Sequence, residues 1–229
     1  VHKRFALSLS AAAVLCANAA GDVIDITVPG TTLQQVIGNQ FLVGNHLFTL
    51  DAGAFTSTAF TASQIFITPV INADPLTGAG FRLSGAFGDP PGGTSSTFTL
   101  QYIVDLTIAA QTTGYRFDRA DLRFNGSSSG AGAISRVTEN LSNSSEGGLG
   151  TLTVSNNVGS PPVFQDQTTF ASNSLTRLLV TDNGEFNSGE IGTSSASFMD
   201  FSFGDRLIPT PGVLTVLAGA AGLALRRRR

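Results

Sequence analysis

The sequence predicts an all-β fold, an antiparallel β-sandwich of jelly-roll-like kind, flanked by an N-terminal signal peptide and a C-terminal transmembrane-type helix. Three observations predict it. Between residues 21 and 208 the apolar residues recur mostly with period two. Gly, Pro and Asn-Gly punctuation cuts them into short runs. The composition, with 13% charged residues and 26 Gly in 229, is poor in the Ala, Leu, Glu and Lys that long helices need.

Taken in order, residues 23–28 form a short β-branched run closed by Pro29-Gly30, and residues 64–68 a second, ended or bent by Pro69. The clearest strand is 98–108. Phe98, Leu100, Tyr102, Val104, Leu106 and Ile108 are apolar, while Thr99, Gln101, Asp105 and Thr107 are polar, which is the pattern of a half-buried strand with Tyr102, Val104 and Leu106 in the core. Residues 115–118, 120–124, 133–141, 151–154, 175–181 and 195–203 follow. Asn125-Gly126, Gly147-Gly148, Ser160-Pro161-Pro162 and Asp182-Asn183-Gly184 separate them as turns. Phe198, Phe201 and Phe203 do not share one alternation, which implies a bulge near Met199-Asp200. The Gly/Pro segments 74–80 and 88–96 read as long loops. Composition shifts near 86–97, but the N-terminal part has too few strong strands to close its own core. Residues 21–208 are therefore read as one domain, between segments 1–20 and 209–229.

Both ends carry localisation signals. Lys3 and Arg4 precede an apolar run, and Ala17-Asn18-Ala19 supplies a small-x-small cleavage pattern for signal peptidase. Leu15 before Cys16 disfavours a lipoprotein. At the other end Pro209-Thr210-Pro211-Gly212 leads into the apolar run 213–225, and Arg226, Arg227, Arg228 and Arg229 close the chain. As a helix, 13 residues span about 20 Å, short of the roughly 30 Å hydrocarbon core. Leu207 and Ile208 can extend the run, and the arginines should remain cytoplasmic.

The ends hold six of the 13 basic residues and none of the 16 acidic ones, so residues 21–208 carry seven Arg against 16 acids, a charge of −9. That excludes the usual basic nucleic-acid binder. The domain has no Cys and suits export without oxidative folding.

Catalytic chemistry has little footing. His46 is the single histidine after the signal segment, and there is no Gly-x-Ser-x-Gly elbow, no Cys/His zinc set and no phosphate-cradling glycine motif. No cofactor is implied. Asp118 and Asp121 interleave with Arg116, Arg119 and Arg123, which reads as surface ion pairing. Asp182, Asn183, Glu185, Asn187 and Glu190 form an oxygen-rich cluster that could hold Ca²⁺, though without a calcium-loop spacing. The 17 Phe are expected mostly in the core.

The tail, with Pro209, Pro211, the apolar run and the four arginines, resembles the PEP-CTERM sorting signal of Gram-negative bacteria, with Thr210 where that family usually has Glu. The resemblance covers about the last 21 residues. It implies an exosortase-type membrane protease as partner, acting at Pro209, Thr210 and Pro211 while Arg226 to Arg229 hold the helix. It also implies transient inner-membrane anchoring, then a cell-surface or extracellular location associated with exopolysaccharide or biofilm. The expected function is a non-enzymatic surface or matrix protein. A glycan- or calcium-binding module is the alternative, marked by a sheet face with exposed aromatics.

Overall fold

A computed structural model describes residues 21–71, 78–92 and 94–208. The segments carrying Ala17, Ala19, Pro209, Thr210, Pro211 and Arg226 to Arg229 lie outside the described residues. Among the described residues no helix is long and apolar enough to cross a membrane.

The chain forms a β-sandwich. Its strands are β1 (Val23–Ile24), β2 (Gln40–Val43), β3 (His46–Thr49), β4 (Phe55–Ser57), β5 (Phe66–Ile71), β6 (Ala79–Asp89) and β7 (Ser96–Leu106). After them come β8 (Tyr115–Phe124), β9 (Ser127–Ser129), β10 (Ile134–Asn143), β11 (Gly147–Asn157), β12 (Gln165–Thr169), β13 (Arg177–Asn187) and β14 (Thr193–Leu207). Short helices α1 (Leu33–Val36) and α2 (Ile108–Thr113) join strands. One sheet has eight strands in the order β1-β2-β3-β7-β13-β10-β11, with β4 also on β7. The other has six, β12-β8-β14-β6-β5, with β9 also on β14. Apart from the parallel β1–β2 pair, the ladders between these strands are antiparallel.

Period-two burial makes the core. On β7, Phe98, Leu100, Tyr102, Val104 and Leu106 face inward and are at most 4% exposed. Aromatic rings from the two sheets meet there. Phe41 and Phe48 stack with centroids 4.9 Å apart, and Phe81 from the opposite sheet meets both edge-on at 5.5 and 5.3 Å. Phe81 also packs on Tyr102 at 5.2 Å and Phe201 at 5.3 Å. Such edge-to-face contacts add about 0.5–1.5 kcal/mol each beyond area burial.

The structure corrects several expectations. Strand β7 stops at Leu106, because the Thr107 side chain accepts a hydrogen bond from the Ala110 N–H and starts α2. Ile108 is consequently 83% exposed rather than core. The expected first strand shrinks to Val23–Ile24, with Val28 exposed. Strand β5 runs through Pro69, tolerated because β5 is an edge strand.

The largest correction is β6. Residues 79, 80, 88 and 89, read as loop, belong to an 11-residue strand inside the six-stranded sheet, between β14 and β5. Asn183-Gly184 is likewise no turn but the middle of β13. A Cβ on Gly184 would sit 2.0 Å from the Phe98 ring, so glycine serves here as a notch for that ring.

Candidate functional site: the outer face of the six-stranded sheet

The site begins with a change of phase in β14. Ala196 faces the core, so strict alternation would turn Phe198 inward too. The β14–β6 register shifts between Ala196 and Phe198, where two steps on β14 pass three on β6 from Phe87 to Ser84, and beyond this bulge Met199, Phe201 and Phe203 point inward and Phe198, Asp200 and Ser202 outward. Asn125 holds the bulge. Its Oδ1 accepts the N–H groups of Ser197 and Phe198, both at 2.9 Å, and its Nδ2 donates to Ser197 Oγ at 2.5 Å. The bulge expected near Met199-Asp200 is thus two to three residues earlier.

Phe198 lies opposite Ser84 of β6, and Ser84 lies opposite Phe66 of β5. Phe66 is 46% exposed. Two aromatic side chains therefore share the outer face, two strand spacings or about 9.5 Å apart at the backbone, with a small hydroxyl residue between them. In the next row Arg82 grips Asp200 through two hydrogen bonds, Nε to Oδ1 at 2.6 Å and Nη2 to Oδ2 at 2.8 Å, and its guanidinium lies 4.0 Å over the Phe198 ring. This fork-and-stack arrangement fixes the ring's orientation.

A further row down, Arg119 Nε bonds Asp121 Oδ2 at 2.8 Å. Burial pushes the Asp121 carboxyl above its ordinary range, against the pull of Arg119 and Arg123. Beyond Ser197 the face continues into a cleft of about 450 Å³ bordered by Asn125, Ser195, Ser197, Gly88 and Pro90. Gly88 leaves its floor open, since a Cβ there would meet the Ser194 carbonyl at 2.8 Å. Hydroxyls, an amide, an ion pair and two rings on one surface can hydrogen-bond and stack on a hydroxyl-rich ligand.

Larger hollows, about 580 and 510 Å³, adjoin on the outer face of the eight-stranded sheet, meeting at Thr49, Asp51 and Ile103. No exposed aromatic ring borders them, whereas the smaller cleft joins, through Ser197, the face that carries Phe198 and Phe66, and is the better candidate.

The other sequence candidates are dispersed. His46 is buried, with Nδ1 3.0 Å from the Ala79 carbonyl and Nε2 3.6 Å from Asp205 Oδ2. The oxygen-rich cluster separates by strand alternation. Asp182 is buried between the sheets, Asn183 bonds Thr99, Glu185 pairs with Arg136, and Asn187 caps the Gly189 N–H. Among the described residues no group of three or more His, Cys, Asp or Glu could hold a metal ion. Sequence reasoning missed Phe66, Ser84, Arg82 and Asn125 as site residues. The out-of-phase Phe198 was the one available signal.

No protein-family model and no curated protein matches the chain. Among solved structures it is similar to TmCBM61 in complex with β-1,4-galactotriose, at 10% identity and a TM-score of 0.35, over 80% of this chain and 98% of that one. It is also similar to the enzymatically active domain of tailspike protein 4 of bacteriophage CBA120, at 13% identity and a TM-score of 0.29, over 79% and 21%. A third is a structure of carbohydrate-binding modules from the β-sandwich superfamily, at 10% identity and a TM-score of 0.25, over 65% and 57%. At identities this low nothing is carried over from what those proteins bind.

Proposed function

We propose that the chain is an exported, non-enzymatic protein of the cell surface or extracellular matrix whose β-sandwich holds a polysaccharide on the outer face of the six-stranded sheet. In this reading signal peptidase removes the leader, so that the mature chain starts at Ala20 or Gly21. An exosortase-type membrane protease then acts at Pro209-Thr210-Pro211 while Arg226 to Arg229 keep the apolar tail in the inner membrane.

The observation that supports polysaccharide binding is the Phe66–Ser84–Phe198 row. Phe66 is 46% exposed and Phe198 only half-buried beneath the Arg82 guanidinium, so both rings forgo part of the roughly 1.5–3 kcal/mol that full burial gives. A pyranose offers apolar C–H faces to such rings and hydroxyls to Ser195, Ser197 and Asn125.

The test is retardation of the purified chain in gels containing soluble polysaccharides. Phe198→Ala should weaken binding about tenfold, the worth of a stacked ring, without lowering the melting temperature. A wild-type chain that no polysaccharide retards contradicts the reading.

A further inference from the structure

We propose that the ligand of this face is an acidic polysaccharide, one bearing carboxylates such as a uronate polymer; the proposal rests on the glycan-binding reading above. What carries it is the distribution of charge. Of the seven arginines in residues 21–208, five belong to β6, β8 and β14 of the smaller sheet: Arg82, Arg116, Arg119, Arg123 and Arg206.

All five lie on its outer side. Arg82 and Arg123 flank outward Asp200, and Arg119 lies beside Gly204, where a Cβ would meet its side chain at 3.3 Å and Asp118 Oδ1 at 3.0 Å. Arg206 pairs with Arg116 in the register next to the buried, inward Phe117. Against these five stand three carboxylates on the same face, Asp118, Asp121 and Asp200, leaving an excess of two positive charges. The remaining described residues hold two arginines, Arg136 and Arg177, against twelve acids. A strongly acidic domain has therefore gathered its cations on one surface.

Among the described residues, three of these guanidiniums have no carboxylate partner. Arg116 donates to the carbonyls of Gln111 at 3.1 Å and Tyr115 at 2.5 Å, and Arg206 donates to Asn173 Oδ1. Arg123 has no hydrogen bond or ion pair among the described residues, because both oxygens of neighbouring Asp200 are engaged by Arg82.

Arg116 and Arg206 stand directly opposite each other in the ladder, a like-charge placement that costs stability in a sheet. An anion lying between them removes that cost. From Arg116 to Arg123 the β8 track is roughly 23 Å long at 3.3 Å per residue. It ends where Arg123 lies opposite Asp200, whose ion-pair partner Arg82 stacks over the Phe198 ring. A linear polymer laid along β8 would meet guanidiniums along its length and an aromatic ring at one end. The planar guanidinium fork matches a carboxylate in two parallel hydrogen bonds.

The experiment compares polygalacturonate with neutral galactan and dextran in affinity gels and by titration calorimetry on the purified full-length chain. Variants are Arg123→Gln, Arg116→Gln/Arg206→Gln and Phe198→Ala. The expected result is preference for polygalacturonate, weakening as salt rises from 50 to 300 mM, and about tenfold loss in Arg123→Gln with an unchanged melting temperature. Equal binding of neutral polymers, unaffected by salt and by the arginine variants but lost in Phe198→Ala, overturns the acidic-ligand proposal and leaves the glycan reading standing. No binding of any polymer overturns both.

Discussion

Glu139 and Asp182 face each other across the β10–β13 ladder, both fully buried on the inner face, and none of their four carboxylate oxygens has a hydrogen-bond partner among the described residues. Burial pushes both carboxyls well above the ordinary range. On Glu139 the charges of Asp182 and Asp121 add to that rise, while on Asp182 the Tyr102 hydroxyl, pointing toward it without closing a well-formed bond, pulls weakly the other way. A carboxyl with a raised folded-state pKa binds its proton more tightly folded than unfolded. Its stabilising effect is therefore full below the unfolded value, about pH 4, and drains away as pH rises toward the folded value. The domain should accordingly melt higher at pH 5 than at pH 8. Glu139→Gln removes one ionisation at nearly constant shape, so it should raise the pH 8 melting temperature by several degrees, at roughly 2–4 °C per kcal/mol for a domain of this size, and flatten the pH profile. Melting curves that fall toward pH 5 in wild type would contradict this assignment.

At the scale of elements, legibility follows from whether a strand's signal is local. Strand β7 was readable because one face meets the core and the other meets water, so Phe98 through Leu106 alternate without interruption. Strand β6 was not, because Gly80 and Gly88 look like loop residues. Both are glycine for a tertiary reason: a Cβ would strike the β14 backbone at the carbonyls of Phe201 (1.9 Å) and Ser194 (2.8 Å). Asn183-Gly184 misled in the same way, since its glycine clears space for Phe98, a residue 86 positions earlier in the chain. The candidate site was almost wholly hidden. Phe66, Ser84 and Phe198 come from three strands, and their common face exists only once β5 and β14 have registered on β6. The irregular spacing of Phe198, Phe201 and Phe203 carried the trace of the bulge, two to three positions off. No local pattern links Asn125 to that bulge, because the contact spans 72 residues.

Over the whole molecule the outer face of the smaller sheet collects five of the seven arginines of residues 21–208, while on the strands of the larger sheet Arg136 pairs with Glu185 and Arg177 with Asp105, so association with an anionic polymer has a defined polarity. The sorting proposal supplies the place where such a polymer would be met. Replacing Arg226 to Arg229 with Ser should weaken membrane retention, and replacing Pro209 and Pro211 with Ala should trap the full-length form. Intact-mass measurement of surface and inner-membrane fractions reads both, and surface protein retaining all four terminal arginines would leave a simple anchor.

The central claim, that the outer face of the six-stranded sheet is the binding surface, is tested most directly by amide chemical-shift mapping as a soluble oligogalacturonate is titrated into labelled protein. The account predicts shifts concentrated at Arg82, Asn125, Arg123, Ser197 and Phe198 and their neighbours on β6, β8 and β14. Shifts gathered instead at Thr49, Asp51 and Ile103, around the hollows of the eight-stranded sheet, would contradict it.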